Sequence, residues 1–162
     1  MGLLVALGVI LHRAEALLPL PSPWIKLGLA NIITLLALVF LGFREACVVT
    51  ALRILLGSVL AGTFLGPTFF LSLAGGAAAV GAMVIFYQGA CGPLSLVGVS
   101  VVSALAHTLA VFFLVHAFLI PQEAFLTLLP FFFSLALLSG ILNGMVANHL
   151  ARRLLREGLR LK

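Results

Sequence analysis

The sequence predicts an all-α integral membrane protein, a single domain of six transmembrane helices. Three observations carry that prediction. Hydrophobic residues make up 64% of the 162, charged residues only 8%, and the mean hydropathy is +1.33, whereas soluble domains run near half apolar and about a quarter charged. Prolines, glycines and short polar clusters cut the apolar sequence into six segments, most of them close to the roughly 20 residues that cross a hydrocarbon layer of ~30 Å. The basic residues are bunched, with Arg152, Arg153, Arg156, Arg160 and Lys162 near the end of the chain. A soluble core of this length has no room for so many Leu, Phe, Val and Ala side chains, which lipid accepts freely.

The first segment runs to about Leu18 and ends at Pro19, Pro21 and Pro23, because proline lacks an N–H and disfavours helix in the residue before it. It has no charged leader or small-residue cleavage site, so Gly2 to Leu18 is expected to remain as a helix. The second covers roughly Leu27 to Leu41, and a short turn from Gly42 to Glu45 separates it from the third, about Ala46 to Ala61. Gly62 to Pro67 is the next break, the fourth segment spans roughly Thr68 to Gln88, and Gly89 to Pro93 interrupts again. The fifth covers about Leu94 to Ile120, and the sixth runs from about Glu123 into the basic tail. The second and third are short for a span. Pro67 to Ala74 and Pro130 to Ala136 resemble one another, each opening a segment with proline and phenylalanines. Both would enter the membrane from the same side, unlike the inverted repeats of many transporters.

Orientation follows from Lys and Arg. An even number of spans puts both termini on one side, and the basic tail marks that side as cytoplasmic, meeting anionic headgroups; Arg44 in the second loop agrees. Lys26, beside the proline-rich first loop, then lies outside. A nucleic-acid partner is not expected for the basic tail, since apolar spans leave no soluble surface beside it. Cys47 and Cys91 fit no disulfide or metal pattern.

Small residues recur at intervals of four: Gly2 with Ala6, Gly75 with Ala79, Ala77 with Gly81, and Ala136 with Gly140 and Gly144. That interval lets membrane helices approach closely. Packing within the bundle accounts for it; on the first segment, docking of a separate membrane subunit is the alternative.

The polar residues inside the spans are the candidate site. Insertion of an ionisable group costs about 2.5–3.5 kcal/mol at mid-membrane, so each is expected to be paired or functional. His12, Arg13 and Glu15 lie in the outer half of the first segment, Lys26 and Asn31 open the second, and Arg53 and His107 fall near the middle of the third and fifth. Together they describe a site open to the outside, with spare positive charge suited to an anionic or oxygen-rich ligand. Other roles stand beside this one. Arg53 and Glu15 could form an ion pair that fixes packing, and His107 could be a packed, hydrogen-bonded histidine. Asn143 reads as a packing residue.

Enzymatic chemistry finds little support. All four acidic residues are glutamates, so no aspartate-rich motif can hold magnesium against a diphosphate. There is no phosphate-binding loop of the Gly-Lys-Ser or Gly-Lys-Thr type. The four histidines lie on different segments or depths without metal-ligand spacing, so neither a metal nor another cofactor is expected.

A set of motifs in order carries a family resemblance: Lys26-Leu-Gly-Leu-Ala-Asn31 after the proline-rich loop, Leu41 to Ala46, Leu52-Arg53-Ile-Leu-Leu-Gly57-Ser58, Gly62-Thr63-Phe64, Ser72 to Gly76, and Ala104-Leu-Ala-His107. Over nearly its whole length the chain resembles the Gx transporter family, also labelled heptaprenyl diphosphate synthase component I, which is similar to the substrate-binding S components of energy-coupling factor transporters. The resemblance implies a multi-pass protein of a prokaryotic cytoplasmic membrane, with a small-molecule pocket near the outer face under the first loop. It implies partners too, a transmembrane T component with ATPase subunits. In such proteins small residues on the first helix make that contact in an Ala-x-x-x-Ala pattern, and Gly2 with Ala6 is the nearest match here. A substrate site of Arg13, Glu15, Lys26, Asn31, Arg53 and His107 is therefore expected. The alternatives are a non-catalytic membrane subunit of a prenyl diphosphate synthase and a stand-alone carrier.

Overall fold

A computed structural model describes residues 1–16, 28–88 and 94–158. They form α1 (Gly2–Ala16), α2 (Leu29–Phe40), α3 (Phe43–Leu60), α4 (Pro67–Gln88), α5 (Leu96–Phe118), the four-residue α6 (Glu123–Leu126) and α7 (Leu129–Arg156). The structure is all-helical among these residues, and its six longer helices coincide with the six apolar segments. Among the described residues, three stretches are long and apolar enough to cross a membrane: Pro67–Tyr87, Leu96–Phe118 and Glu123–Arg156.

The arrangement is built around α2. Residues Ile32 to Val39 are all buried, on every face of the helix, as expected of an apolar helix with no polar stripe. The one polar side chain in that run, Thr34, shares a hydrogen bond with Thr50 of α3 at 3.0 Å between hydroxyl oxygens. A buried hydroxyl without such a partner would cost about 1–3 kcal/mol. Helix α2 packs chiefly on α1, α3 and α7 and touches α4 and α5 lightly, while α4, α5 and α7 form their own closely packed group.

Small residues make that second group tight. A Cβ added at Gly140 would stand 2.8 Å from the Val101 Cα, and one at Gly144 would stand 2.7 Å from the Val97 Cα. The four-residue stripe on the last segment therefore lets the α7 backbone lie directly on α5. Gly75 of α4 does the same for the His107 ring of α5, 2.6 Å from where its Cβ would be. Ala77 and Gly81 behave differently and line an apolar groove beside α3, together with Cys47 and Ile54.

Helix ends differ from the sequence expectation in three places. The four residues Gly42 to Glu45 do not make a turn. Gly42 alone reverses the chain at φ 106° and ψ −176°, which only glycine adopts without strain, and its carbonyl accepts from the Ala46 N–H at 3.1 Å. Phe43, Arg44 and Glu45 are already the first turn of α3, where Glu45 meets the positive end of the helix dipole. Second, α5 begins at Leu96 rather than Leu94, because the Ser95 hydroxyl caps it by accepting from the Gly98 N–H at 3.2 Å.

Third, the last segment is broken after Leu126. Phe125 turns inward to stack on Phe112 of α5, with ring centroids 4.5 Å apart, and Thr127 closes the short helix by donating to the Ala124 carbonyl at 2.7 Å. The chain restarts at Leu129 with Pro130 in the first turn, where a missing N–H breaks no intrahelical bond. Pro67 opens α4 in the same way. The two resembling stretches also share a serine bonded back to the carbonyl four residues earlier, Ser72 to Thr68 and Ser134 to Pro130.

Candidate ligand-binding site

The polar residues of the two helix groups meet where α2 faces α5 and α7. From α2 come Gly28, just before its first turn, and Asn31. Helix α5 contributes Ser100, Ala104, His107 and Thr108, and α7 contributes Ser139 and Asn143. The cavity they line is about 10 Å³, room for about one water molecule.

Gly28 positions one wall. Its φ of 73° is left-handed, a conformation open to glycine at no steric cost. In it the Gly28 N–H points to α1 and donates to the Glu15 Oε1 at 2.6 Å. Glu15, 4% exposed, is thereby tied to the start of α2. The same turn brings the Gly28 Cα beside both amide side chains: an added Cβ would lie 3.3 Å from the Asn143 Nδ2 and 3.4 Å from the Asn31 Nδ2.

Arg53 stands behind Asn31, outside the set of residues that line the cavity. It is 5% exposed, and its guanidinium donates to the Asn31 Oδ1 at 2.7 Å. Glu15 supplies a neighbouring negative charge, while the buried Arg53 Nε makes no hydrogen bond. So the two roles weighed for Arg53, ligand contact and ion pair, are joined by a third, holding an asparagine.

The expected site residues are distributed as follows. Asn31 and His107 line the cavity, Arg53 and Glu15 support it from α3 and α1, and Arg13 is half-buried on α1 and does not line it. Lys26 lies outside the described residues, as do Pro19 to Pro23. His12 packs against Gly57 of α3, 2.7 Å from where a Cβ there would be. Gly2 and Ala6 are exposed on α1, on a surface that also shows Leu3, Leu7 and Ile10. Asn143, which reads from the sequence as a packing residue, faces the cavity together with Ser100, Thr108 and Ser139, which the sequence does not single out. A lone serine or threonine in an apolar span carries no sequence signal of its facing, although the step from Asn143 to Ser139 along one face of α7 was available as a hint.

An all-helical bundle of apolar segments, several of them long enough to cross a membrane, defines a class, a multi-pass membrane protein. More particularly, the chain belongs to the heptaprenyl diphosphate synthase component I family, whose family model matches residues 4–150. It is similar to a solved structure described as "Structure and mechanism of the S component of a bacterial ECF transporter", with a TM-score of 0.75, 19% identity, and coverage of 98% of this chain and 95% of that one. At that identity the likeness is one of fold. No curated protein matches the sequence significantly.

Proposed function

We propose that this chain is the substrate-binding membrane subunit of a small-molecule uptake transporter, with six spans, both termini cytoplasmic, in a prokaryotic cell membrane. The observation that carries the reading is the cleft at the seam of α2, α5 and α7. It gathers two amides, a histidine and three hydroxyls in one place. Its likeness in fold to an S component supports the reading. The ligand is oxygen-rich or anionic, compatible with the headgroup of an isoprenoid-related compound, because donors prevail around Asn31 and Arg53. Lys26 and Arg13 would attract it and the first loop would cover it. The protein is no enzyme in this reading; with no aspartate it lacks an aspartate-rich motif to hold magnesium on a diphosphate. Energy comes from a T component with ATPase subunits, which Gly2 and Ala6 on the open face of α1 would help to dock.

Gentle purification from the native membrane followed by native mass spectrometry tests this reading. Recovery of ATPase and T subunits, with a small molecule that is lost on substitution of Asn31, is the expected result. The family name favours a second reading, a non-catalytic membrane subunit of a heptaprenyl diphosphate synthase. Recovery of a soluble aspartate-rich synthase in place of the ATPase subunits would establish that reading and reject the first. ATP-independent flux in liposomes containing the chain alone would reject both in favour of a stand-alone carrier.

A further inference from the structure

We infer that Arg53 is a positioning residue: it does not meet the ligand but fixes the Asn31 side chain so that the Asn31 amide N–H₂ is offered to the cleft. The inference rests on the cleft being the ligand site and adds what that site reads. A guanidinium has donors only. The Asn31 atom that takes the Arg53 hydrogen bond at 2.7 Å is therefore the carbonyl Oδ1, and the amide cannot flip without setting N–H against N–H. That leaves the Nδ2 as the atom presented beside Gly28, where the Asn143 amide also arrives. The positive charge itself is 5% exposed and set back behind the asparagine.

The consequence concerns specificity. An unpinned asparagine can turn either face to a ligand and accept or donate. Pinned by Arg53, Asn31 donates, so the cleft selects an acceptor at this point, a carbonyl, carboxylate or phosphoryl oxygen, and disfavours a donor-only group such as an ammonium. A buried charge costs several kcal/mol unless compensated, and the single bond to Asn31 with the nearby Glu15 charge gives Arg53 a use that simple helix packing would not require.

The test is nuclear magnetic resonance on the full chain in lipid nanodiscs, with ¹⁵N introduced into asparagine side chains and the arginine Nε. The chain has three asparagines, Asn31, Asn143 and Asn148, so the amide signals are assignable by substitution. Formate serves as the acceptor-only probe and ammonium as the donor-only probe, at matched concentrations. Formate is expected to shift the Asn31 and Asn143 amide signals and leave the Arg53 Nε unmoved, and ammonium to shift neither amide. Arg53→Met should abolish the formate response of Asn31, and Arg53→Lys, which still only donates, should restore it. A merely space-filling role predicts no difference between Met and Lys. Movement of the Arg53 Nε with formate in the unsubstituted protein would overturn the proposal even if Arg53→Met does not fold. A formate response of Asn31 that survives Arg53→Met would overturn it while leaving the cleft as the ligand site. No amide response at all would remove both.

Discussion

Replacing Gly28 with alanine addresses the turn on which the whole cleft wall depends. The backbone at Gly28 sits at φ 73°, and an L-residue with a Cβ costs about 1–2 kcal/mol there relative to glycine. The Cβ would also press on two amide nitrogens at 3.3 and 3.4 Å, slightly tighter than ordinary contact. Neither the Asn31 nor the Asn143 amide has free space to withdraw into, since the cavity between them holds about 10 Å³. The alanine gains a little from a less mobile unfolded chain, but where φ is positive the strain outweighs that gain. A net loss of about 1–2 kcal/mol follows, which lowers the folded-to-unfolded ratio by a factor of about 5–30. Reversible unfolding by sodium dodecyl sulfate in mixed micelles measures it. The control is Gly2→Ala, where the added Cβ meets nothing within 4 Å. If Gly28→Ala and Gly2→Ala unfold together at the wild-type midpoint, the left-handed turn and the Glu15 bond it aims are both wrong.

Three further outcomes are expected. Gly144→Ala drives a Cβ to 2.7 Å from the Val97 Cα and should destabilise by about 1–3 kcal/mol through overpacking, while Gly81→Ala, with open space around it, should not; equal melting temperatures of the two variants would show that α5 and α7 are not in backbone contact. Thr34→Val alone should orphan the Thr50 hydroxyl and lose about 1–3 kcal/mol, with much of the loss recovered in the Thr34→Val, Thr50→Val double variant; strict additivity in a double-mutant cycle would remove the hydrogen bond. Glu15→Gln removes the charge beside Arg53 but keeps an acceptor for the Gly28 N–H, whereas Glu15→Ala loses both and should be the less stable of the two by about 1–3 kcal/mol, and identical unfolding midpoints for the two would place Gly28 elsewhere.

Much of the helical arrangement is legible in the sequence because membranes leave few choices to an apolar chain. Pro67 and Pro130 mark helix starts since a residue without an N–H fits only there, and the long apolar runs between breakers can only be helices. Each misplaced end has a physical cause. Gly42 turns the chain alone, which the neighbouring Arg44 and Glu45 disguised as a polar loop, and α6 exists because of a stacking partner, Phe112, distant in sequence. In the site, Asn31 and His107 stand out by polarity, and both reach the cavity. Asn143 stands out equally, but periodicity gives the face of a helix without naming its neighbour, so its place in the cavity wall is not legible. The role of Arg53 toward Asn31 is a matter of which atom faces which, and no spacing of residues encodes that.

The contact of Gly140 and Gly144 with the α5 backbone has a mechanical meaning. Two helices keyed together at the Cα level can neither slide nor roll without driving side chains into main chain, so α5 and α7 must travel as one lever. The α2 side is joined differently: Ile32, Leu35 and Leu36 share one apolar cluster there with Val99 of α5 and Ala147 of α7, so a relative movement is taken up among side chains rather than main chain. Glycine in one interface thus decides which other interface yields.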